Sequence, residues 1–441
     1  MLLGAQCLIS TMQSISLIVL VISGVLSDMR NQKNNVCPTF EDYFTIENNP
    51  RCWFDIAAAS DVVTIIQSRG YPVEVHKVIT EDGYILTMHR IPNTRHPRRK
   101  RYPIFLQHGL IATSANFATQ SRNVSMAFIL SDAGYDIWMG NYRGTTYSQE
   151  HVRLTVRDNE YWNHSLDHLG LMDIPAMLNK IAEVTGKKGE TIVIGHSLGT
   201  TISMIYASAR PEEARRNIKF MVLLAPAATL TNMISPFRIL APLSEAILDV
   251  VVSNDLIRVV SSPNISNLYS RTLCLDSPIV LKRCEQIFNI FYGPYSQMGA
   301  ELLPVFFWHL PAGTSVKVIR HAADLVLGKF HMYDNGAKIN ERIYGSKSPP
   351  VYNTKNIRVP TLIMYAVNDW ACGKKDALVL ASHMSPEVLP FGIAEIDIKD
   401  FNHMDFLYGS GVKKIVTDRL MRLFDTLHKL PIKRTQNVPI L

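Results

Sequence analysis

A short turn constrains this chain more than any other stretch. Gly195-His196-Ser197-Leu198-Gly199 is entered by the apolar run Thr191-Ile192-Val193-Ile194 and left by a helix-forming run rich in small residues, Thr200, Thr201, Ser203 and Ala207. A serine between a buried strand and a helix sits on a sharp turn that exposes its hydroxyl. The flanking glycines let neighbouring backbone approach where a Cβ would clash. The helix start also aims backbone N–H groups at any anion that develops there. A plain strand-to-helix turn fits the same pattern, so the stretches that follow must decide between the two.

The surrounding pattern places this turn in a layered fold. Val73 to Ile79 alternates, Glu81-Asp82-Gly83 supplies a turn, and Tyr84 to Ile91 resumes the alternation, which is a hairpin signal. Ile104-Phe105-Leu106, Tyr135 to Met139, Thr191 to Ile194 and Phe220 to Leu224 read as short strands, with helices expected over Met126 to Ala133, Leu166 to Val184 and Leu198 to Ala209. Strands alternating with helices predict an α/β fold with a mostly parallel central sheet flanked by helices. From about Thr229 to Asn353 the chain turns helical, apolar and proline-interrupted, as in Leu302 to Leu310 (LLPVFFWHL). Thr361 to Ala366 and Ala394 to Ile398 then read as strands and Val412 to Leu427 as a closing helix. The expected organisation is a signal peptide over 1–27, an N-terminal extension over 28–60, core over 61–227, an inserted mainly helical cap over 228–353, core again over 354–430, and a tail over 431–441. With 47% apolar and 19% charged residues in 441, the chain is neither disordered nor fibrous.

The first 27 residues carry no charged side chain, and an apolar run from Ser16 to Ile22 precedes small residues at Ser23, Gly24 and Ser27. That is the pattern of a secretory signal, and the run is too short to span a bilayer comfortably. Export gives the six cysteines a meaning: Cys274 with Cys284 makes a short disulfide, Cys37 with Cys52 a second, and Cys372 is left over beside Cys7 of the leader. Export also makes the sequons at Asn123, Asn163 and Asn264 surface glycan sites, and secretion or lysosomal delivery follows. The net charge of +7 is spread along the chain, and only Arg95 to Arg101 is a dense basic run, which reads as a solvated loop rather than a nucleic-acid footprint. No CxxC or HExxH spacing occurs, so no metal and no cofactor is expected.

A serine hydroxyl needs a base, and the base needs an orienting carboxylate. The acid is expected at the end of a late strand and the histidine after the last one, in the order Ser, acid, His. Asp369, after Thr361 to Ala366, and His403, after Ala394 to Ile398, take those places. Asp376 is the fallback acid, Asp397 lies within the expected strand, and Asp405 reads as a local structural carboxylate. The tetrahedral oxygen needs donors, assigned to the backbone N–H groups of Leu198 and of Leu110 in the loop after Ile104-Phe105-Leu106. His108 is expected to order that loop by hydrogen bonding rather than to react.

With these residues in place, the chain resembles the acid lipase family, which includes gastric and lysosomal acid lipases. The resemblance runs from about Tyr71 to about Leu427 through Gly70-Tyr71-Pro72, Thr80-Glu81-Asp82-Gly83-Tyr84, Gln107-His108-Gly109-Leu110, Gly140-Asn141, Arg143-Gly144, Gly195-His196-Ser197, Pro311-Ala312-Gly313-Thr314-Ser315, Asn368-Asp369 and Asn402-His403-Met404-Asp405-Phe406. It implies an α/β-hydrolase core with an inserted cap, hydrolysis of triacylglycerols or sterol esters, the same triad of Ser197, Asp369 and His403, and a cap disulfide at Cys274–Cys284. Departures are Leu198 where the family commonly has Gln, Cys372-Gly373-Lys374 after the acid where it has Ala-Asp-Pro, and Thr145 where it has Asn. The expected partners are a lipid ester and, transiently, a droplet, micelle or membrane surface, with no obligatory protein partner. A catalytically silent lipid carrier on the same fold and a general carboxylesterase or thioesterase are the competing readings. A carrier is expected to lose triad members, and all three are present.

Overall fold

A computed structural model describes residues 33–94, 101–253, 268 and 271–429. The expected leader with Cys7, all of the basic run before Arg101, the sequon at Asn264 and the tail 431–441 lie outside the described residues.

Among the described residues nine strands form one sheet: β1 (Glu74–Ile79), β2 (Tyr84–Ile91), β3 (Pro103–Gln107), β4 (Asp136–Gly140), β5 (Glu150–His151), β6 (Thr191–His196), β7 (Ile218–Leu224), β8 (Thr361–Ala366) and β9 (Ile393–Ile396). Their order is β1-β2-β4-β3-β6-β7-β8-β9, with β5 paired to β2. The β1–β2 and β2–β4 pairs are antiparallel, and every pair from β4 to β9 is parallel. Strands β3, β6 and β8 are buried along their whole length, as parallel strands covered by helices on both faces must be. Chain order reverses between β3 and β6, which opens a crevice at their carboxyl ends, where open α/β sheets bind ligands. The turn at Ser197 and the loop at His108 are the two connections that leave this crevice.

The expected strands and the helix Leu198–Ala209 match the structure closely. Two helices differ. Leu166 to Val184 is not one α-helix: a π-turn, Leu169–Asp173, separates Leu166–His168 from Ile174–Thr185. It brings Gly170 against the helix Leu198–Ala209, where a Cβ would stand 2.4 Å from Ile205 Cγ2. The closing helix likewise begins with a π-turn, Lys413–Thr417, before Asp418–Lys429. The last strand ends at Ile396, which leaves Asp397 outside it and exposed.

Between β7 and β8 the chain contributes helices Phe237–Leu240, Ser244–Ser253, Pro278–Tyr292, Leu302–His309, Val316–Val326 and Ala337–Tyr344. Among its described residues this segment adds no strand to the sheet. The Cys274–Cys284 disulfide ties Cys284, midway along Pro278–Tyr292, to the chain that precedes that helix. Residues 33–60 buttress the next: Trp308 Nε1 donates to Ser60 O at 3.0 Å and a His309 ring nitrogen to Ala57 O at 2.9 Å. The Cys37–Cys52 disulfide and the Val36–Trp53 bridge close that extension on itself. Cys372 stays a free, buried thiol.

Candidate active site

Ser197 sits at φ 54°, ψ −123°, a conformation a non-glycine residue adopts only where its surroundings hold it. Its N–H donates to Leu224 O of β7 at 3.0 Å, and its carbonyl accepts from Thr200 N at 2.8 Å. The glycines do what the turn requires. A Cβ on Gly199 would stand 2.2 Å from Gln107 O, and one on Gly195 would stand 2.7 Å from Gly199 C. The helix that follows Ser197 can therefore start against the end of β3 only as this sequence has it.

His403 follows β9, and its Nδ1–H donates to Asp369 Oδ2 at 2.8 Å. Both residues are buried. Asp369 Oδ1 accepts from the backbone N–H groups of Ala371 at 2.9 Å and Cys372 at 2.7 Å. The loop is thus braced by main chain, so the unusual Cys372-Gly373-Lys374 leaves the carboxylate held. Burial pushes the His196 pKa down to about 3 and keeps the ring neutral, and its Nε2–H donates to His403 O at 3.0 Å. Asp376, the fallback acid, accepts instead from Asn232 N and Nδ2 at 3.1 and 2.9 Å.

Ser197 and His403 line one cavity of about 250 Å³, walled by Leu110, Phe288, Tyr292 and Phe306 among other apolar groups. Among the described residues no hydrogen bond joins Ser197 Oγ to His403, whose Nδ1 is engaged with Asp369. Among the described residues, the backbone N–H groups of Leu110 and Leu198 have no acceptor. Leu198 itself packs into the core, and Thr145 donates its hydroxyl to Tyr142 O at 2.8 Å, closing its turn without the family's Asn. A His108 ring nitrogen donates to Gly109 O at 2.9 Å, as expected for a residue that orders the loop. Asn123 and Asn163 are exposed.

The inserted segment grips the site from above through main chain that sequence reading missed. Tyr292 O accepts from both His403 N and Trp370 N at 3.3 Å, and the Tyr292 ring stacks 5.4 Å from the His403 imidazole. Trp370 O accepts from Ile234 N and Ser235 N at 3.0 Å. Gly293, at φ 133°, passes so close that a Cβ would stand 2.2 Å from Asn368 O. Only that glycine gave a signal in the sequence, since the other partners are backbone groups.

Asp405 ties the same two parts by its side chain. It accepts from Ser296 Oγ at 2.8 Å, Gln297 N at 3.0 Å and Asn402 N at 2.7 Å. Burial pushes its pKa up to about 6, with Asp400 acting in the same direction and the three donors opposing. A folded pKa above the unfolded value means the native state holds this proton more tightly. The resulting stability is full below about pH 4 and lost as pH rises through about 6. In denaturant titrations from pH 4 to 7, the stability of the natural chain relative to Asp405→Asn should fall by on the order of 2–3 kcal/mol. A flat difference would contradict the assignment.

Two family descriptions match the chain: a partial α/β-hydrolase lipase region over residues 62–121 and the α/β-hydrolase fold over residues 102–251. The chain is 34% identical to mouse lipase member K over 374 residues, 83% of this chain and 92% of that one. It is 35% identical to Drosophila melanogaster lipase 3 over 375 residues, 82% and 92% of the two chains. It is 34% identical to human lysosomal acid lipase/cholesteryl ester hydrolase over 357 residues, 79% and 86% of the two.

Proposed function

From the premise that the chain belongs to the acid lipase family of α/β-hydrolases, we propose that it is a serine ester hydrolase acting on neutral lipid esters such as triacylglycerols or sterol esters. The observation that carries this reading is the 2.8 Å His403–Asp369 pair opening onto the same apolar cavity as the strained Ser197.

His403 Nε2 takes the Ser197 proton as Oγ attacks the ester carbonyl. The carbonyl oxygen becomes an oxyanion between the Leu110 and Leu198 N–H groups. Asp369 stabilises the imidazolium and holds its orientation. His403 then gives the proton to the leaving alcohol, and an acyl ester remains on Ser197. Water attacks this ester by the same route and releases the fatty acid.

The lipid part of the reading rests on the walls and the rim. The cavity is mostly apolar, and Phe237, Ile239, Leu240, Leu243, Ile287 and Ile290 are exposed on the inserted helices. The Phe237 ring packs 4.7 Å from Phe291, next to Tyr292 at the cavity. We take 228–353 as a cap whose apolar rim meets a droplet, micelle or membrane surface, displacing water from both. No helix among the described residues is long and apolar enough to cross a membrane. Two disulfides accord with passage through the secretory pathway, to the exterior or the lysosome, after removal of 1–27 and with glycans at Asn123, Asn163 and Asn264.

Hydrolysis of an emulsified long-chain triacylglycerol, compared with a soluble butyrate ester at equal enzyme, tests the substrate class. The lipase reading predicts turnover of the emulsion at a rate at least comparable to the soluble ester. Activity on the soluble ester alone would make the protein a general carboxylesterase, and none on either would leave the silent carrier.

A further inference from the structure

Gly109 and Leu110 share one planar peptide unit, so the direction of the Gly109 carbonyl sets the direction of the Leu110 N–H, roughly antiparallel to it. Whatever holds the first aims the second. Two side chains hold it: Tyr142 Oη donates to Gly109 O at 3.0 Å, and His108 Nδ1–H donates to the same oxygen at 2.9 Å. Both side chains are fully buried, with ring centroids 4.4 Å apart.

The loop does not rest in this shape by its own preference. Ile111 is β-branched and stands at φ 52°, a left-handed conformation such a residue adopts only where its surroundings hold it. Its carbonyl is held from the inserted segment by Ala312 N at 2.7 Å. Loss of an anchor would free the peptide to turn, and its N–H would leave the cavity.

We propose that Tyr142 is a positioning residue for acyl transfer: with His108 it locks the Gly109–Leu110 peptide plane, so that the Leu110 N–H points into the cavity before any substrate arrives. The proposal rests on the oxyanion role given to Leu110 above. Preorganised donors act without reorganisation as charge develops, which is where their catalytic value lies. Burial pushes the Tyr142 phenol up and holds His108 down at about 4, so both donors are neutral at pH 7. Tyr142 is followed by the buried Arg143, whose guanidinium pairs with Asp173 at 2.6 Å, and this fixes the strand end from which the phenol reaches.

Tyr142→Phe deletes one oxygen and keeps the ring. Expected for a soluble ester are a kcat lower by about 10- to 100-fold, a KM changed less than about threefold, and a boronic-acid analogue bound more weakly by the same factor as kcat/KM. Binding of the product alcohol, which carries no oxygen anion for the Leu110 N–H to hold, should not change. Titration with a fluorophosphonate counts intact sites, so misfolded protein does not mimic the effect. Should Tyr142→Phe fail to fold, His108→Leu removes the companion donor and is expected to show the same split between analogue and product. Unchanged kcat and analogue affinity, or equal loss of analogue and product binding, would overturn the lock. These results are separable from the reading of the site itself. If Ser197→Ala keeps its activity, that reading fails. If Ser197 is the labelled residue and Tyr142→Phe turns over normally, only the lock fails.

Discussion

Ser197→Ala should retain the fold and lose ester hydrolysis by at least about a thousandfold, approaching about 10⁶-fold if chemistry limits turnover. The substitution removes only Oγ. Alanine has the same backbone restrictions as serine, and the bonds from Ser197 N to Leu224 O and from Thr200 N to Ser197 O do not involve the side chain. The strained turn therefore stays held, and no stability change should accompany the loss. What disappears is the atom that forms the acyl ester. Without it, His403 and the two N–H groups can do no more than assist direct attack by water, which leaves a small residual rate. A loss well short of a thousandfold, in protein with an unchanged unfolding midpoint, would remove Ser197 from the chemistry.

Asp369→Asn should lower kcat by about 10⁴-fold with little change in KM. The carboxylate now accepts three hydrogen bonds, one from His403 Nδ1 and two from the Ala371 and Cys372 N–H groups. An asparagine can keep its oxygen on the two backbone donors. Its NH₂ then faces His403 Nδ1, which must become the acceptor. The ring proton moves to Nε2, and the nitrogen facing Ser197 can no longer take a proton. Because the cavity walls are untouched, substrate binding survives. An equal rise in KM would point to a disturbed cavity, and near-normal kcat would return the acid role to another carboxylate. Asp376, occupied with Asn232, is poorly placed for it.

What was legible beforehand was what is local or periodic. The alternation in β1 and β2, the buried runs of β3, β6 and β8, and the glycine-flanked turn at Ser197 each depend on neighbours in sequence, so the pattern carries them. Asp369 and His403 were found because the fold orders its triad along the chain, and the structure brings them within a hydrogen bond. The two π-turns were not legible. The first answers to a contact between Gly170 and Ile205 across two helices, which no periodicity within either helix records. The ties from Tyr292 O to His403 and Trp370 were hidden for a different reason. They are main-chain bonds between distant segments, and any side chain can supply them. The same logic applies to Cys372, which holds Asp369 through its backbone N–H, a group any side chain at that position supplies.

The central claim is that Ser197 carries the acyl group. Rapid acid quench of the enzyme turning over an ester, followed by mass mapping of the peptides, tests it most directly. The claim predicts an acyl adduct on the peptide containing Ser197, absent in Ser197→Ala. Brisk hydrolysis with the adduct on another residue, or with none while a fluorophosphonate also leaves Ser197 unlabelled, would contradict it.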